Sequence, residues 1–311
     1  MANVLGMIPG SDAALSRAPV VLGAHYDHLG LNGETGEFFP GADDNASGIS
    51  VLIEVARKLA RAFTPQRPIL FVAFTGEESG LLGSDYFVNS SPGGLGVSSA
   101  FAMINLDAVG RLDGRTLQIF GTESAYEWPF MAQGIGFTIG MSSQFAAQTV
   151  ASSDHVSFLN AGIPAIHLFS GTHLDYHQPT DTADKLDLAG MGDVALWVEE
   201  AIVYLADRGD PLRVNLGRAS QLSVSSSTTA REAVLGTVPD FAYQGQGIRI
   251  SGVSPGSAAE LAGLQANDVI LQFNGQAVVS LQTYSDMLRA AAPGDEIEIT
   301  VQRGELSLIH I

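Results

Sequence analysis

The chain has 311 residues, no cysteine and a formal net charge of −18, because 33 acidic residues face only 15 basic ones. A surface of this sign repels phosphate backbones and anionic lipid headgroups, which argues against nucleic acid as a partner. No apolar run reaches the ~18 residues that span a bilayer, and the first residues lack a signal-peptide pattern. Without cysteine, any metal site must use His, Asp and Glu.

The first two thirds of the chain alternate apolar runs with helical patterns, which predicts an α/β fold with a mixed, largely parallel central sheet flanked by helices. Four short apolar runs are the predicted buried strands, at residues 19–24, 69–74, 101–106 and 163–169. From Ile49 to Phe63 apolar residues recur at steps of three and four, which predicts an amphipathic helix.

The composition changes after residue 210, where a stretch rich in Ser and Thr begins. We predict a first domain over residues 1–212, a linker over 213–232 and a small β-rich domain over 233–311. The last domain has predicted strands at 248–253, 269–273 and 297–301 and helices at 257–261 and 281–292. Asn274 and Gly275 directly follow the predicted strand at 269–273 and form a strong hairpin signal, because both residues tolerate positive φ.

Residues with metal-binding or acid–base side chains follow each of the four strands predicted in the first domain. In chain order they are His25, Glu77, Glu78, Asp107 and His177. Asp44 joins them at the start of the predicted helix, where the helix dipole tolerates a carboxylate. Because sites in open α/β sheets form beyond the carboxyl ends of the strands, we expect these side chains to converge.

Two His and three carboxylates form a ligand set that suits Zn, Mn or Co. A catalytic zinc takes three protein ligands and a water, so five ligands suit two metals that share one carboxylate. A single His or Asp of this kind usually has a structural role. We therefore expect Asp43 to cap the helix, and we expect structural roles rather than metal binding for His28, His155, His167 and His173. The joint occurrence at four strand ends favours a metal site.

Six segments resemble the motifs of the co-catalytic zinc aminopeptidases, bacterial exopeptidases with a phosphorylase/hydrolase-like sheet, over roughly residues 1–208. They are HYDHLG, GADDNASG, GEESGLLGS, NLDAVGR, SSDHVSF and DYHQPTDTADKLD. The resemblance implies two zinc ions per chain, for which Mn or Co can substitute. By that resemblance His25 and Asp107 hold one ion, Glu78 and His177 hold the other, and Asp44 bridges them.

The same resemblance assigns roles to three further residues. Asp27 would orient the His25 imidazole, Glu77 would be the general base, and Tyr176 would donate to the developing oxyanion. The implied activity is hydrolysis of the N-terminal peptide bond by a zinc-dependent aminopeptidase. An acidic crevice favours peptides with a free N-terminal ammonium, but the ligand set leaves a carboxypeptidase, a dipeptidase and an aminoacyl cyclase open.

Other classes are disfavoured by single features of the sequence. Residues 252–256 fit the G-x-S-x-G pattern of serine hydrolases, but Pro255 has no backbone N–H to offer an oxyanion hole. HExxH is absent, which disfavours a single-zinc protease of that type. A non-catalytic peptide-binding scaffold is a further alternative, although it would be expected to have lost ligands.

The chain departs from the family pattern in two places. Ala108 stands where Met is common. Family members usually carry a further segment and an export signal before the first motif, so we interpret the chain as a truncated or a mature form. The resemblance suggests an exported, periplasmic or secreted protein.

Residues 233–309 resemble a bacterial PDZ domain. In this interpretation the loop of Gly245 and Gly247, followed by Ile248, offers backbone amides to the C-terminal carboxylate of a peptide, which would bind by β-augmentation.

Overall fold

The structure is a computed structural model that describes residues 2–33, 35–90, 99–146, 153–217, 234–241, 243, 245–304 and 306–310. The described residues divide into two compact units, one within Met1–Gly171 and His177–Val224 and the other within Thr172–Tyr176 and Ser225–Ile311. From residue 218 onwards the predicted linker lies outside the described residues.

The first unit is built on a mixed, largely parallel sheet. Its strands are, in chain order, β1 (Val4–Ile8), β2 (Val20–His25), β3 (Gly30–Leu31), β4 (Phe38–Phe39), β5 (Ile69–Phe74), β6 (Ala102–Leu106), β7 (Leu117–Phe120), β8 (Ser143–Phe145) and β9 (Ala165–Phe169). Seven of them form one sheet in the order β1-β5-β2-β6-β9-β7-β8, and β3 pairs with β4 separately. Within the sheet β1 and β7 pair antiparallel with β5 and β9, and the other neighbours are parallel. This confirms the predicted fold class.

Helices cover both faces of the sheet. They are α1 (Gly48–Ala62), α2 (Leu82–Ser90), α3 (Trp128–Ile139), α4 (His155–Asn160) and α5 (Leu188–Asp207). In β2, Val20 and Leu22 pack in the core with α1, α3 and α5, whereas Val21 packs with Phe87 of α2 and Phe158 of α4. Because both faces are buried, the central strands are continuous apolar runs, which is why they could be predicted.

The four predicted strands and the amphipathic helix are all present, with ends within two residues of the predicted ones. Strands β1, β3, β4, β7 and β8 of the first unit were not predicted. The side chains of β1 are mostly exposed, so its sequence VLGMI carries neither the alternation nor the flanking pattern of a buried strand.

Arg67 joins several segments at the amino ends of the central strands. Its guanidinium is buried, lies 3.6 Å above the centre of the Phe101 ring, and donates to the carbonyl oxygens of Ala18 at 3.0 Å, Leu205 at 3.0 Å and Arg208. These carbonyls belong to the residues before β2 and to the end of α5, so one side chain binds the sheet to its longest helix.

The second unit contains a smaller sheet and two short helices. Its elements are β10 (Thr237–Pro239), β11 (Ile248–Val253), α6 (Ala258–Leu261), β12 (Val269–Phe273), β13 (Gln276–Ala277), α7 (Leu281–Ala290), β14 (Ile299–Arg303) and β15 (Leu306–His310). The sheet order is β10-β11-β12-β14-β15, and β13 pairs with β12. Asn274 and Gly275 connect β12 to β13 with φ of 48° and 73°, which confirms the predicted hairpin. Among the described residues, no helix is both long and apolar enough to cross a membrane.

Candidate metal centre

The predicted ligands meet at the carboxyl ends of the central strands. His25 is the last residue of β2, Asp107 directly follows β6, and Glu78 lies in the turn after β5. Asp44 comes from the turn Ala42–Ser47 before α1, and His177 from the loop after β9. Neighbouring parallel strands thus bring residues far apart in sequence to one edge of the sheet.

Asp44 stands between two groups of ligand atoms. On one side, His25 Nε2 lies 3.2 Å from Asp44 Oδ1 and 3.3 Å from Asp107 Oδ1. On the other side, His177 Nε2 lies 2.8 Å from Asp44 Oδ2 and 3.6 Å from Glu78 Oε1. Because each oxygen of Asp44 faces a different group, this carboxylate has the position expected of a bridge between two metal ions.

The positions of these donor atoms suit metal binding better than hydrogen bonds between the side chains. Among the described residues, His25 Nε2, Asp44 Oδ2, Glu78 Oε1 and Asp107 Oδ1 are buried atoms without a hydrogen-bond partner. Such orphaned polar atoms cost free energy unless something binds them. Zinc bonds of ~2.0–2.1 Å place tetrahedral ligand atoms about 3.3 Å apart, and the separations on both sides of Asp44 scatter around that value.

The charges of the side chains at this site also favour the binding of cations. Burial lowers the pKa of His177, but the close contact with the charged Asp44 carboxylate outweighs burial and raises that pKa to about 9. Burial likewise opposes protonation of His25, yet Asp107 and Asp44 hold its pKa well above the usual range. Buried carboxylates therefore attract positive charge at this position, which metal ions would supply in place of protons.

Asp27 contacts His25 through its main chain rather than through its carboxylate, and its orienting role stays a prediction. His25 Nδ1 lies 3.0 Å from the main-chain oxygen of Asp27, whereas the Asp27 carboxylate is 4.0 Å from it. A ring nitrogen that donates to a carbonyl leaves Nε2 with a free lone pair for a metal. The Asp27 carboxylate instead accepts from the main-chain N–H of Glu77 at 3.2 Å.

Glu77 lies next to the ligands. Burial raises the pKa of its carboxyl well above the usual range, the His25 imidazole opposes this effect, and the Asp107 carboxylate adds to it. Leu81 N–H and Gly80 N–H donate to the Glu77 carbonyl at 2.9 and 2.8 Å, so the turn that carries Glu77 is hydrogen-bonded on both sides.

The turn that carries Asp44 is held by a buried carboxylate that the sequence analysis did not single out. Asp181 Oδ2 accepts from the main-chain N–H groups of Asp43 at 2.9 Å and Asp44 at 3.2 Å. Asp43 was expected to cap α1, but its Oδ1 accepts from Gly110 N–H at 2.6 Å, and α1 has no side-chain cap. Asp181 follows His177 by four residues, and that short spacing after a ligand is the signal that could have found it.

The histidines that we expected to be structural differ in their surroundings. His155 and His167 are buried in the core with their rings stacked at 5.0 Å, and burial lowers the pKa of each to about 3. His28 is instead at the metal centre, where its Nδ1 lies 2.8 Å from Glu78 Oε1, so the expectation of a core position was wrong for this residue. It follows His25 by three residues in one motif, which could have indicated its position.

Tyr176 directly precedes His177 in the chain. Its ring is half-buried and lies edge-on to the His173 ring with the centroids 6.4 Å apart. The role of Tyr176 stays a prediction.

The loop of Gly245 and Gly247 leads into β11, as the sequence suggested. Gly247 has a φ of 84°, a conformation that favours glycine. Strand β11, which begins at Ile248, pairs with β10 on one edge and with β12 on the other. Because both edges are used, β11 cannot take up an added strand, and the outermost strand on this side of the sheet order is β10.

Comparison with known proteins gives relatives for both units. The chain is 32% identical over 180 residues to Aminopeptidase YwaD of Bacillus subtilis, which covers 54% of this chain and 36% of the relative. Among solved structures it is similar to a zinc aminopeptidase from Bacillus subtilis, BSAP, with a TM-score of 0.58 and 26% identity over 72% of this chain and 53% of that one. The LapA aminopeptidase of Legionella pneumophila gives a TM-score of 0.57 and 27% identity over 67% and 56% of the two chains.

The chain thus spans between about a third and about half of the length of these relatives. Residues 249–303 match the PDZ domain family. Residues 3–202, which include every proposed metal ligand, match Peptidase family M28, and the chain therefore belongs to that family.

Proposed function

We propose that this chain is a zinc-dependent aminopeptidase that hydrolyses the N-terminal peptide bond of peptide substrates. The observation that carries the proposal is the position of Asp44, whose two buried carboxylate oxygens face two separate groups of donor atoms. The similarity to aminopeptidases and to a zinc aminopeptidase from Bacillus subtilis supports it.

The proposed zinc ligands are His25 and Asp107 on one side, Glu78 and His177 on the other, and Asp44 between them. Two bound zinc ions would lower the pKa of a water between them towards ~7 and polarise the substrate carbonyl.

Glu77 is the proposed general base. It neighbours a ligand, and consecutive side chains of a turn point in different directions, so one carboxylate can bind metal while the other reaches the attacking water. The hydrogen bond from Glu77 N–H to Asp27 Oδ1 fixes the main chain at this residue. Glu77 would take a proton from the water and give it to the leaving amine, and the reaction needs no covalent intermediate.

Two further features of the proposal concern the substrate. Tyr176 would donate its hydroxyl proton to the oxyanion that develops on the substrate carbonyl. The free ammonium of the substrate would be favoured by the acidic character of the protein, which carries a net charge of −18.

The test compares free and N-acetylated aminoacyl p-nitroanilides, with metal quantified in the same sample. An aminopeptidase with about two zinc ions per chain hydrolyses the free substrates and leaves the acetylated ones intact. Equal rates on both would contradict recognition of the ammonium. A chain that holds two zinc ions but cleaves only substrates with a free C-terminus, or cyclises an N-terminal residue, would be one of the alternative enzymes.

For the second unit, we propose binding of a C-terminal peptide at the edge of β10 rather than at the loop of Gly245 and Gly247. Within the described part of the chain β10 is the outermost strand on this side of the sheet, which supports this position. The hydroxyl of Thr237 in β10 also lies 2.8 Å from the hydroxyl of Tyr284 in α7. A fluorescent peptide with a free C-terminal carboxylate should bind, and its C-terminal amide should not. The separation into a peptidase domain and a PDZ-like domain, and an exported location, remain part of the proposal.

A further inference from the structure

His28 is the one histidine at the metal centre without a role in the proposed ligand set. Its side chain is only 9% exposed, and both of its ring nitrogens are buried without a hydrogen-bond partner among the described residues. Nδ1 lies 2.8 Å from Glu78 Oε1 and 3.9 Å from Asp44 Oδ2. A buried imidazole with both nitrogens unsatisfied is costly, so its position needs an explanation.

A simple hydrogen bond to Glu78 does not explain the contact. The distance between Nδ1 and Oε1 is 2.8 Å, yet both atoms are without a hydrogen-bond partner among the described residues. Buried polar atoms that lie this close without a hydrogen bond are typical of ligands of a common ion. The three atoms of His28, Asp44 and Glu78 all lie within 4.8 Å of one another, as such a group requires.

The surrounding chain leaves room for the His28 ring at this place. Gly41, just before the turn that carries Asp44, has a φ of 63°, and a Cβ there would lie 2.6 Å from Cγ of His28. The ring also packs edge-on against His177, with centroids 5.6 Å apart and planes at 70°. Both neighbours of the imidazole therefore belong to the segments that carry the proposed ligands.

We propose that His28 supplies, through Nδ1, a fourth protein ligand to the ion held by Asp44, Glu78 and His177. The two metal positions are then unequal. The first has three side chains, His25, Asp44 and Asp107, and the second has four, so a water shared by the two ions would be the fourth ligand of the first and a fifth ligand of the second. The second position binds zinc more tightly and fills first, and the first position is the one that exchanges. This inference rests on the proposed function only in taking zinc as the ion.

The coordination shell can be counted by X-ray absorption at the zinc edge of the full chain with two zinc ions bound. With His25, His177 and His28 as ligands, the wild-type protein should show about three imidazoles per two zinc ions, and His28→Ala about two. An imidazole that only orients Glu78 also costs ~10–100-fold in metal affinity when removed, so affinity alone does not separate the two roles and the count does.

Stepwise zinc titration of the metal-free protein gives the second readout. His28→Ala should weaken the tighter of the two sites by at least about 100-fold and leave the weaker site within a few-fold of the wild type. Leu29→Ala, which truncates the exposed neighbouring side chain, should change neither site. His28→Gln keeps most of the volume and serves if the alanine variant does not fold.

A wild-type count of two imidazoles per two ions would overturn the inference without any variant. Failure of the proposed function gives a different result, namely a chain with three imidazoles and two zinc ions that does not hydrolyse aminoacyl p-nitroanilides.

Discussion

The carboxylate of Asp27 accepts a hydrogen bond from the main-chain N–H of Glu77 at 3.2 Å, while the carbonyl of Asp27 faces His25 Nδ1 at 3.0 Å. One residue thus contacts both the proposed base and a proposed ligand, but with different groups. A change of its side chain removes only the first contact.

We therefore expect Asp27→Ala to lower kcat by ~10–100-fold while the protein keeps two zinc ions. The main-chain N–H of Glu77 loses its acceptor in this variant, whereas His25 keeps its contact with the main-chain carbonyl of residue 27. Asp27→Asn retains an oxygen that accepts from Glu77 N–H and should stay within a few-fold of the wild type. Zinc content and steady-state kinetics of both variants check this. Loss of one zinc ion from the alanine variant would show that the carboxylate acts on His25 instead.

Glu77→Gln should bind two zinc ions and lose at least ~10²–10⁴-fold in turnover, because a general base is removed and its shape is kept. Glu78→Gln is the matched comparison, since it should lose metal at the position shared with His177. Metal analysis and kinetics on one chromogenic substrate distinguish them. If Glu77→Gln loses metal and Glu78→Gln does not, the roles of the two residues are exchanged.

Asp181→Ala should lower the free energy of unfolding by about 2–4 kcal/mol, because two buried N–H groups, those of Asp43 and Asp44, lose their acceptor. Asp181→Asn keeps an acceptor oxygen and should cost less. Urea unfolding of the zinc-loaded proteins measures both, with Asp193→Ala at an exposed position of α5 as the control. Equal stability of all three variants would mean that the turn does not depend on Asp181.

The stacked pair of His155 and His167 should make the protein less stable in mild acid. Burial lowers the pKa of each to about 3, below the usual ~6.5. Both are neutral in the folded and unfolded chain above pH ~6.5, so their contribution to stability is complete there. As the pH falls from there towards 3, only the unfolded chain takes up protons, and stability falls by up to about 1.4 kcal/mol per pH unit for each histidine.

His155→Leu removes one of these groups, so its unfolding free energy should fall by about 1 kcal/mol less than that of the wild type between pH 7.5 and 5.5. The metal ligands are the same in both proteins, and their contribution cancels in the comparison. Urea unfolding at the two pH values measures the difference. An equal loss in both proteins would contradict a neutral, buried His155.

Shortening the chain tests where the first unit ends. The predicted boundary at residue 212 falls inside a packed segment, because Arg213 bonds to Glu127 at 2.9 and 3.0 Å and Val214 forms a β-bridge with Ala125. A chain that ends at Gly217 should fold, bind zinc and cleave small aminoacyl substrates. One that ends at Leu212 should be less stable by about 1–3 kcal/mol in urea unfolding, because the Glu127 carboxylate loses its partners on Arg213. Inactivity of a folded chain ending at Gly217 would show that the second unit helps to build the site.

The sequence predicted the parts of the fold that repeat a simple physical pattern. The buried strands and α1 have the period and length of such elements, and the ends of those strands pointed to His25, Glu78 and Asp107. The exposed edge strand β1 has no such period and was missed.

What could not be predicted depends on contacts between distant segments. Asp181 supports Asp44 across 137 residues of sequence, and its spacing after His177 does not show which main-chain groups it binds. The surroundings of His28 depend on how the loops after β2 and β5 meet, so a rule for isolated histidines placed it wrongly. In the second unit, the pairing of β11 on both edges required the sheet order, which local signals do not give.

Arg67 holds the amino ends of β2, β5 and β6 together without a metal, since its guanidinium binds main-chain carbonyls and the Phe101 ring. The opposite ends of the same strands carry the proposed zinc ligands. We therefore expect removal of zinc to loosen the packing at the carboxyl ends of these strands and to leave the packing at their amino ends intact. On this expectation the protein folds without zinc into a native-like but inactive state, and zinc added afterwards would restore the proposed activity.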